Sequence, residues 1–600
     1  MAEKKTFEIG LVMAGAVSAG AYTAGVMDYL LGVLDTWEEA KRSGENVPDH
    51  DVVIKVMTGA SAGGMTTAIT SVELLRRANH PGAVNDPNYK SLMYQAWVDK
   101  IDITRLLGTD DLRKFDYIKS MLDSTVISEI AADVIDENKM PPWKPLPYLD
   151  KELKLYITLS NLRGLPYEFK LNGETGLPYG MTDHADYQYI EIREDTTKAD
   201  WIKLRNAAVA TGAFPVGLAS RLIQRDMNEY KVRINKDGRD ISGLMKVKSD
   251  ENSPYNFIAV DGGTLNNEPI ELARSVWEQF TEEDKQEIKS VTDLHRKREE
   301  VRLRTVLVKN PYALVMIDPF PDQVDIGEDA TEEDTALINI VGPILGTLRS
   351  QSLFKIEELL RAGDREKNDR FLIAPIRYTE TDNLAKNAIA CGFFSGFGGF
   401  LAREFREHDY QLGRRNAQRF LDRYFSVSIE AAAKENGWNV NPDYVYVDKK
   451  DKQSYYPIIP IIKGSEVSKP QGEHNTWPKY KNSHARSLRQ GLSVRVRALL
   501  QKALPFGWID QSWVTIVMIF AGLLAIAGEW VKVIRSTCNC LVFLEGFRNS
   551  YILILQLLFV IVLLVLLVLR IAKKTIANRL VNKAYNLFLS QMRSWGIERE

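Results

Sequence analysis

The feature that most constrains this chain lies near its C-terminal end, where two long stretches carry no charged residue. The 21 residues from Asn549 to Leu569 are almost all Leu, Val and Ile, and they are bounded by Arg548 and Arg570. At about 1.5 Å per residue, a helix of this length spans roughly 30 Å, the thickness of a bilayer core. Residues 511–528 are 18 more without a charge, so the sequence predicts two transmembrane helices that form a hairpin. A buried core helix is the alternative for either stretch.

Basic residues are concentrated around these two stretches. Residues 474–600 contain 17 Lys and Arg against 5 Asp and Glu, whereas residues 1–473 contain 60 basic and 74 acidic side chains. The loop between the two stretches contains only three basic residues, Lys532, Arg535 and Arg548. Because positive charge marks cytoplasmic flanks, we expect both flanks and the large N-terminal region to be cytoplasmic.

The overall composition excludes several classes of protein. With 77 basic and 79 acidic residues, the chain is not a generally basic nucleic-acid binder, and we expect no nucleic-acid partner. Three cysteines in 600 residues exclude a disulfide scaffold. A mean hydropathy of −0.21 excludes a polytopic transporter but is compatible with a single hairpin.

The first 320 residues alternate short apolar runs with helical patterns, which predicts an α/β fold. The predicted strands are Phe7–Met13, Val52–Met57, Leu153–Leu159, Asn256–Val260, Thr305–Val308 and Ala313–Ile317. Helices are predicted at Ala21–Leu34 and Ala62–Asn79, and further along the chain at Ala336–Arg361 and Glu404–Tyr424. Several of these strands are continuous apolar runs, as in a sheet covered on both faces.

The segment Gly59-Ala60-Ser61-Ala62-Gly63 fits the pattern G-x-S-x-G and lies between a predicted strand and a predicted helix. In that context the serine occupies a sharp, strained turn, and its neighbours must be small because they approach each other closely. The dipole of the following helix would favour an alkoxide on Ser61. We predict that Ser61 is a nucleophile whose elbow is formed by Gly59 and Gly63. The alternative is a small-residue turn without chemistry.

A second small-residue turn, residues 15–20, follows the first predicted strand and opens a helix. Turns of this kind direct backbone N–H groups toward one point, and this one lacks the Gly-Lys-Ser/Thr ending of a phosphate-binding loop. We predict an oxyanion hole beside Ser61, formed by the backbone of Gly15, Ala16, Val17 and Ser18. The same residues also suit an ordinary strand–helix turn.

Asp261 follows the predicted strand Asn256–Val260 and precedes two glycines, at the end of a strand where α/β sheets place functional side chains. A serine nucleophile needs a base, and a Ser-His-Asp triad is one solution. However, His295 and His408 stand among charged residues, where exposure to solvent is expected. A dyad in which Asp261 activates Ser61 directly therefore needs fewer assumptions. A triad, or a turn-capping role for Asp261, is the alternative.

Together, these three segments resemble the patatin-like phospholipase family, which has a glycine-rich oxyanion loop, a G-x-S-x-G elbow and an Asp-Gly-Gly/Ala motif in that order. Leu204–Pro215 is similar to the family's alanine-rich helix, which ends in a Phe-Pro or Tyr-Pro turn. Thr158–Leu162 resembles the strand before its substrate region. The resemblance covers roughly residues 5–320, and Arg403–Leu421 looks like a trailing helix of larger bacterial members.

The resemblance implies a three-layer α/β/α sandwich and a carboxylic ester hydrolase that cleaves lipid acyl esters. Its catalytic residues would be Ser61 and Asp261, acting through an acyl-enzyme with no cofactor and no metal. The expected partners are a phospholipid or lysophospholipid substrate and the lipid bilayer, in a bacterial inner membrane; a homo-oligomer is possible. An acyltransferase or thioesterase on the same dyad, or a degenerate lipid-binding scaffold, is the alternative.

The oxyanion turn departs from the family pattern of three glycines and then an arginine. Here the residues are Gly15, Ala16 and Val17, and Ala19 replaces the arginine. All of them keep an N–H donor, but a β-branched Val17 resists positive φ, so the turn must differ in detail or carry strain. The missing arginine removes a positive charge near the site.

Four parts are therefore expected along the chain. They are a catalytic domain at 1–320, a helical extension packed on it at 321–464, a polar linker with a basic amphipathic helix at 465–508, and the membrane hairpin with a basic tail at 509–600. The amphipathic helix, Ser487–Ala503, has leucines at helical spacing with arginines between them. It suits an anionic membrane surface and a packing role equally well.

Overall fold

A computed structural model describes residues 5–82, 89–170, 178–230, 246–247, 254–277, 300, 311–321, 370–378, 384–393, 396–449, 451–471, 477–503 and 574–597. The strands are β1 (Phe7–Met13), β2 (Val52–Gly59), β3 (Leu149–Lys170), β4 (Pro178–Ile192), β5 (Arg221–Arg225), β6 (Lys246–Val247), β7 (Tyr255–Asp261), β8 (Tyr312–Ile317), β9 (Arg370–Ile373), β10 (Ser426–Ser428), β11 (Tyr446–Val447) and β12 (Ser454–Pro457). The helices are α1 (Gly20–Arg42), α2 (Ser61–Asn79), α3 (Leu92–Tyr94), α4 (Ile103–Leu106), α5 (Asp110–Lys114), α6 (Thr125–Val134), α7 (Lys198–Thr211), α8 (Ile270–Arg274), α9 (Arg403–Arg423), α10 (Asn482–Ala503) and α11 (574–594).

The main sheet is built around five parallel strands. Its described order is β5-β7-β3-β2-β1-β8-β9, and β4 and β6 also pair with β3. Strands β3, β2, β1, β8 and β9 run parallel, whereas β7 is antiparallel to both β3 and β5. This mixed, parallel-rich sheet agrees with the α/β fold that the sequence predicts.

Helices cover both faces of the sheet, which gives three layers. Successive side chains of a strand point to opposite faces, and β1 follows this rule: Leu11 and Met13 pack in the larger core with α1, while Val12 packs in a second core with α8. The larger core also contains α2 and α9. The architecture is thus consistent with an α/β/α sandwich.

Helix α1 is buried in the protein interior. Among the described residues, one helical stretch, Val17–Arg42, is long and apolar enough to cross a membrane by length and composition, but 83% of its apolar window is buried. It packs closely on α9, because a Cβ added at Gly25 would lie 2.0 Å from the carbonyl oxygen of Tyr410. Its burial identifies α1 as a core helix.

Residues beyond 320 also contribute to the core. Strand β9 extends the main sheet beside β8, and α9 packs on α1, so a domain boundary at 320 falls between two neighbouring strands of one sheet. The predicted strand Thr305–Val308 and the predicted helix Ala336–Arg361 lie outside the described residues.

The polar stretch predicted as a linker is packed on the domain where it is described. Tyr29 donates a hydrogen bond of 2.8 Å to the carbonyl of Val467, and Gln418 donates one of 2.8 Å to that of Lys469. Residues 465–471 of the predicted polar linker are therefore in contact with the domain, through these backbone carbonyls and through the side chain of Val467.

Helix α10 packs against the loop that contains α5. Its Arg495 is 1% exposed and forms an ion pair with Asp111, and the buried face also includes Leu488 and Leu499. This supports a packing role for one face of the predicted amphipathic helix. The two apolar stretches at 511–528 and 549–569 lie outside the described residues.

Candidate active site

Ser61 lies on a sharp turn between β2 and α2. Its φ angle is +50°, in the left-handed region that non-glycine residues rarely adopt. Space around the turn is minimal: a Cβ at Gly59 would lie 2.5 Å from the backbone of Gly63, and one at Gly63 would lie 2.1 Å from the carbonyl oxygen of Met13. The small residues of the G-x-S-x-G segment are therefore required by packing.

The side chain of Ser61 contacts Asp261 directly. Ser61 Oγ donates a hydrogen bond of 2.6 Å to Oδ2 of Asp261, and both residues are buried. The other carboxylate oxygen, Oδ1, accepts the Gly263 amide at 2.8 Å. The backbone is held as well, because the Asp261 amide donates to the carbonyl of Ala213 at 3.0 Å. The carboxylate is thus fixed with one oxygen on the serine hydroxyl.

Asp261 is at the end of β7, a strand that runs antiparallel to the neighbouring strand β3. Strand β3 continues past the end of β2, and β7 runs antiparallel to it so that Asp261 lies opposite Leu159. Close approach at this point needs glycine, since a Cβ at Gly262 would lie 2.2 Å from the Thr158 carbonyl oxygen. The sequence placed Asp261 at the right strand end but did not predict that the strand is antiparallel.

The turn at 15–20 borders Ser61, as a Cβ at Gly15 would lie 2.9 Å from that of Ser61. The Gly15 amide donates to the carbonyl of Asn267 and the Ser18 amide to that of Gly396. In the part of the chain that the structure describes, the amides of Ala16 and Val17 have no protein acceptor. Val17 adopts a φ of +49°, so the turn carries the strain that a β-branched residue implies.

The segment 390–401, which the sequence interpretation did not connect with the site, supports this turn. The Gly399 amide donates to Ser18 Oγ at 2.9 Å, and the buried Arg406 of α9 donates to the Gly399 carbonyl at 2.7 Å. Asp409 accepts the amides of Ala390 and Cys391, each at 2.7 Å. The glycine-rich run at 392–399 was the available sequence signal for this role.

Thr211, at the end of α7, is a second supporting residue. Its Oγ1 accepts the Ser61 amide at 2.8 Å. Thr211 lies in the segment that resembles the family's alanine-rich helix. The resemblance implied that this helix lies near the site, but it did not predict the hydrogen bond between Thr211 and the Ser61 amide. This hydrogen bond satisfies a buried donor at the strained turn.

Three of the five described histidines have hydrogen-bond partners away from the serine. His50 contacts the carbonyl of Ile458, His184 that of Asn161, and His408 the carboxylate of Asp409. The expectation that His408 is exposed was wrong: it is 8% exposed and packs edge-on against Trp477. The charged residues next to His408 suggested a solvent-exposed helix face, but one of them, Asp409, is itself buried and pairs with His408.

Cys391 lies behind the turn and is the one cysteine among the described residues. Burial, reinforced by the charge of Asp409, raises the pKa of the Cys391 thiol well above its usual value. A thiol in this environment is neutral and therefore a poor nucleophile. Ser61 is thus the better-placed nucleophile of this region.

An apolar cavity begins one helical turn after Ser61, at Met65. It is a narrow cavity of about 40 Å³ that opens to solvent, and it lies between α2, α6, α7 and the π-helical residues Gln95–Lys100. Its lining is entirely apolar or aromatic: Met65, Ile69, Ala96, Trp97, Ile101, Ile127, Ile130, Ala131, Val134, Ile135 and Ala208.

Comparisons with known proteins show which family this chain resembles. Residues 11–274 match the family model described as "Patatin-like phospholipase". An "Uncharacterized protein y4iI" of Sinorhizobium fredii is 30% identical over 566 residues, which cover 83% of this chain and 76% of that protein. A solved structure, VipD from Legionella pneumophila, matches over 70% of this chain and 67% of its own with 11% identity. Its TM-score of 0.22 is too low to support any argument.

Proposed function

Because the chain belongs to the patatin-like phospholipase family, we propose that it is a lipid acyl hydrolase in which Ser61 is the nucleophile and Asp261 the base. The family supports lipid acyl hydrolysis in general terms. The observation that carries the specific roles is the 2.6 Å hydrogen bond from Ser61 Oγ to Asp261 Oδ2. We propose phospholipase A or lysophospholipase activity as the type.

In the proposed reaction, Asp261 accepts the hydroxyl proton while Ser61 Oγ attacks the ester carbonyl carbon. The carbonyl oxygen becomes an oxyanion, which the unpaired amides of Ala16 and Val17 and the N-terminus of α2 stabilise. The bond to the alcohol then breaks, and Asp261 returns the proton to the leaving oxygen. Water, deprotonated by Asp261, next attacks the acyl-enzyme. Fatty acid leaves, and the proton returns to Ser61.

The apolar cavity at Met65 supports an acyl substrate. Its lining is apolar or aromatic and offers mainly dispersion contacts, which suits a hydrocarbon chain better than a polar head group. Because Met65 lies four residues after Ser61 on the same helix, a chain in the cavity would hold its ester close to the nucleophile. We therefore assign the cavity to the acyl chain.

We also propose that the apolar stretches at 511–528 and 549–569 form a membrane hairpin. Support comes from the helices on either side, which run antiparallel: Arg489 of α10 donates to Asn582 of α11 at 3.1 Å, and Arg497 to Asn578 at 3.4 Å. Both helices also pack on the catalytic region, α11 through Phe588 beside Phe393. Since the segment between α10 and α11 begins and ends at the catalytic region, it must cross the membrane an even number of times.

The decisive experiment is fatty-acid release from defined phospholipids by the purified full-length protein. We expect Ser61→Ala and Asp261→Asn each to lower kcat by at least about 10³-fold, the scale for loss of a nucleophile or its base. A matched control is Ser71→Ala, a buried serine on the same helix whose hydroxyl bonds only to a local carbonyl. Wild-type activity no greater than that of Ser61→Ala would overturn the proposal.

Two further measurements separate the alternatives. If one histidine-to-alanine change abolishes activity as fully as Ser61→Ala, a triad replaces the dyad. If acylated acceptor exceeds free fatty acid when a lysophospholipid or a thiol acceptor is supplied, the enzyme is a transferase. We expect neither result.

A further inference from the structure

Exposed apolar side chains form a patch near the C-terminal end of α10. We call this surface the apolar patch; it consists of the exposed Tyr117, Ile118, Met121 and Val216 together with the half-buried Phe115. Tyr117 is 61% exposed, Met121 50% and Val216 72%. The Met121 amide donates to the Val216 carbonyl at 2.9 Å, so the two segments are joined. Val216 also has a φ of +67°, and a strained, exposed valine indicates a function other than folding.

Cations surround the apolar patch. The ammonium group of Lys119 lies 3.5 Å from the centre of the Phe115 ring, and Lys114 lies 5.8 Å from the same ring. Residues 113–121 contain three basic side chains and a single acidic one, Asp116. Partial burial, and after it the neighbouring charges of Arg221 and Lys114, lower the pKa of Lys119. Aromatic and basic residues together are typical of an anionic lipid interface.

Helix α10 fixes the apolar patch next to the point where the chain leaves toward its apolar stretches. Arg495 donates to the carbonyls of Met121 at 2.9 Å and Ser120 at 3.0 Å. Lys502, one residue before the last described residue of α10, donates to the carbonyls of Leu112 and Phe115. Residues 504–510 then separate α10 from the first apolar stretch, a distance of at most about 28 Å when fully extended.

The apolar patch is also connected to the candidate active site. Residues 211–216 run from Thr211, which binds the Ser61 amide, past Ala213, which binds the Asp261 amide, to Val216. Val216 is three positions after Ala213, which is no more than about 11 Å of chain. Phe214, which lies in this segment, packs edge-on against Phe397. Both rings belong to an apolar cluster that also contains Val17.

We propose that the apolar patch rests on the lipid bilayer that the C-terminal hairpin crosses, with its cations at anionic head groups, and so holds the Ser61 site at the membrane surface. This rests on the proposed membrane anchor. The occupant is lipid, because the anchor segment begins beside the patch and the surrounding charge is positive. The proposal also accounts for the exposure of three strongly apolar side chains beside the site.

The position of the apolar patch is tested by fluorescence in nanodiscs. Tyr117→Cys and Val216→Cys are made in full-length protein with Cys538 and Cys540 changed to serine; Cys391 is buried. A matched control is Val447→Cys, a valine that is 58% exposed on the small second sheet. With an environment-sensitive probe, we expect doxyl-labelled lipids to quench positions 117 and 216 but not 447. Equal quenching at all three positions, or a blue shift without quenching because a second copy covers the patch, would overturn the proposal.

A second arm measures turnover with the same full-length protein. We expect Tyr117→Asp with Met121→Asp to lower kcat/KM for phospholipid in anionic nanodiscs by at least about 10-fold, because two apolar anchors are lost. Hydrolysis of a short water-soluble ester should not change, and Val447→Asp should affect neither substrate. An equal effect on both substrates would overturn the proposal. If wild type cleaves neither, the hydrolase proposal fails, whereas the quenching result still decides the role of the patch.

Discussion

Backbone strain in this protein is concentrated at the candidate site. Four non-glycine residues among those described have positive φ, and three of them are Val17, Ser61 and Val216. Each such residue costs about 1–3 kcal/mol and persists only where surrounding contacts determine it. In this protein those contacts are hydrogen bonds: the Ser18 amide donates to the carbonyl of Gly396, and the Ser61 amide donates to Thr211 Oγ1. The site is therefore pre-organised by neighbours whose own side chains do not touch the substrate in the proposed reaction.

Thr211→Val should weaken the nucleophile turn without removing the nucleophile. The substitution keeps the shape of the side chain but leaves the buried Ser61 amide without its acceptor, which costs about 1–3 kcal/mol. We expect a lower melting temperature in detergent and a loss of at least about 10-fold in kcat. Thr211→Ser keeps the hydroxyl and should retain most of the wild-type activity. A Thr211→Val variant with wild-type kcat would show that the hydrogen bond does not position Ser61.

At the scale of elements, the sequence predicted the strand and helix that carry Ser61 to within two residues, because continuous apolar runs and small-residue turns are local signals. It could not predict that β7 is antiparallel, since pairing direction depends on β3, which is distant in sequence. The burial of Arg495 and His408 was missed for the same reason. The partners of these two residues, Asp111 and Trp477, come from elsewhere in the chain.

Two glycines of α1 should respond oppositely to alanine. Gly25→Ala would place a Cβ 2.0 Å from the backbone oxygen of Tyr410, so α1 and α9 must separate; overpacking of this kind costs about 1–3 kcal/mol. Gly32→Ala meets only Val467, at 3.8 Å, and the better helix propensity should stabilise by about 0.5–1 kcal/mol. Thermal unfolding of both variants is the measurement. Equal melting temperatures would contradict the close packing of the two helices.

The contact between α1, α2 and α9 should depend on pH through Asp28. Burial alone would raise the pKa of Asp28, but Arg414 and Arg77 outweigh it and lower the pKa. The stabilisation is therefore complete above the unfolded pKa, near 3.9, and is lost as the pH falls through the lower folded value. We expect Asp28→Asn to melt below wild type at pH 7, with the gap narrowing below about pH 4. Asp110→Asn, an exposed aspartate, is the control; a constant gap would contradict the assignment.

At the scale of the whole molecule, the unit that builds the site is larger than the family match. That match ends at residue 274, yet β9, α9 and the segment 390–401 complete the sheet and hold Ser18. The relative from Sinorhizobium fredii aligns over 83% of this chain, so the similarity between the two proteins extends beyond the family match. Motifs in the sequence indicated the two residues of the proposed dyad. The supporting segment at 390–401 could be recognised only from its contacts with Ser18, which is nearly 400 residues away in the chain.

The packing of α10 and α11 leads to a prediction about topology. In the proposed hairpin, the segment between these two helices leaves the catalytic region and returns to it on one side, so the loop joining its two apolar stretches lies across the membrane. Two native cysteines, Cys538 and Cys540, are in that loop. We expect a membrane-impermeant maleimide to label them in intact spheroplasts, and a cysteine introduced at the exposed Leu587 of α11 to be labelled only in inside-out vesicles. Labelling of all three positions from one side would mean that the apolar stretches do not cross. Labelling of position 587 in spheroplasts would mean that the predicted orientation is reversed.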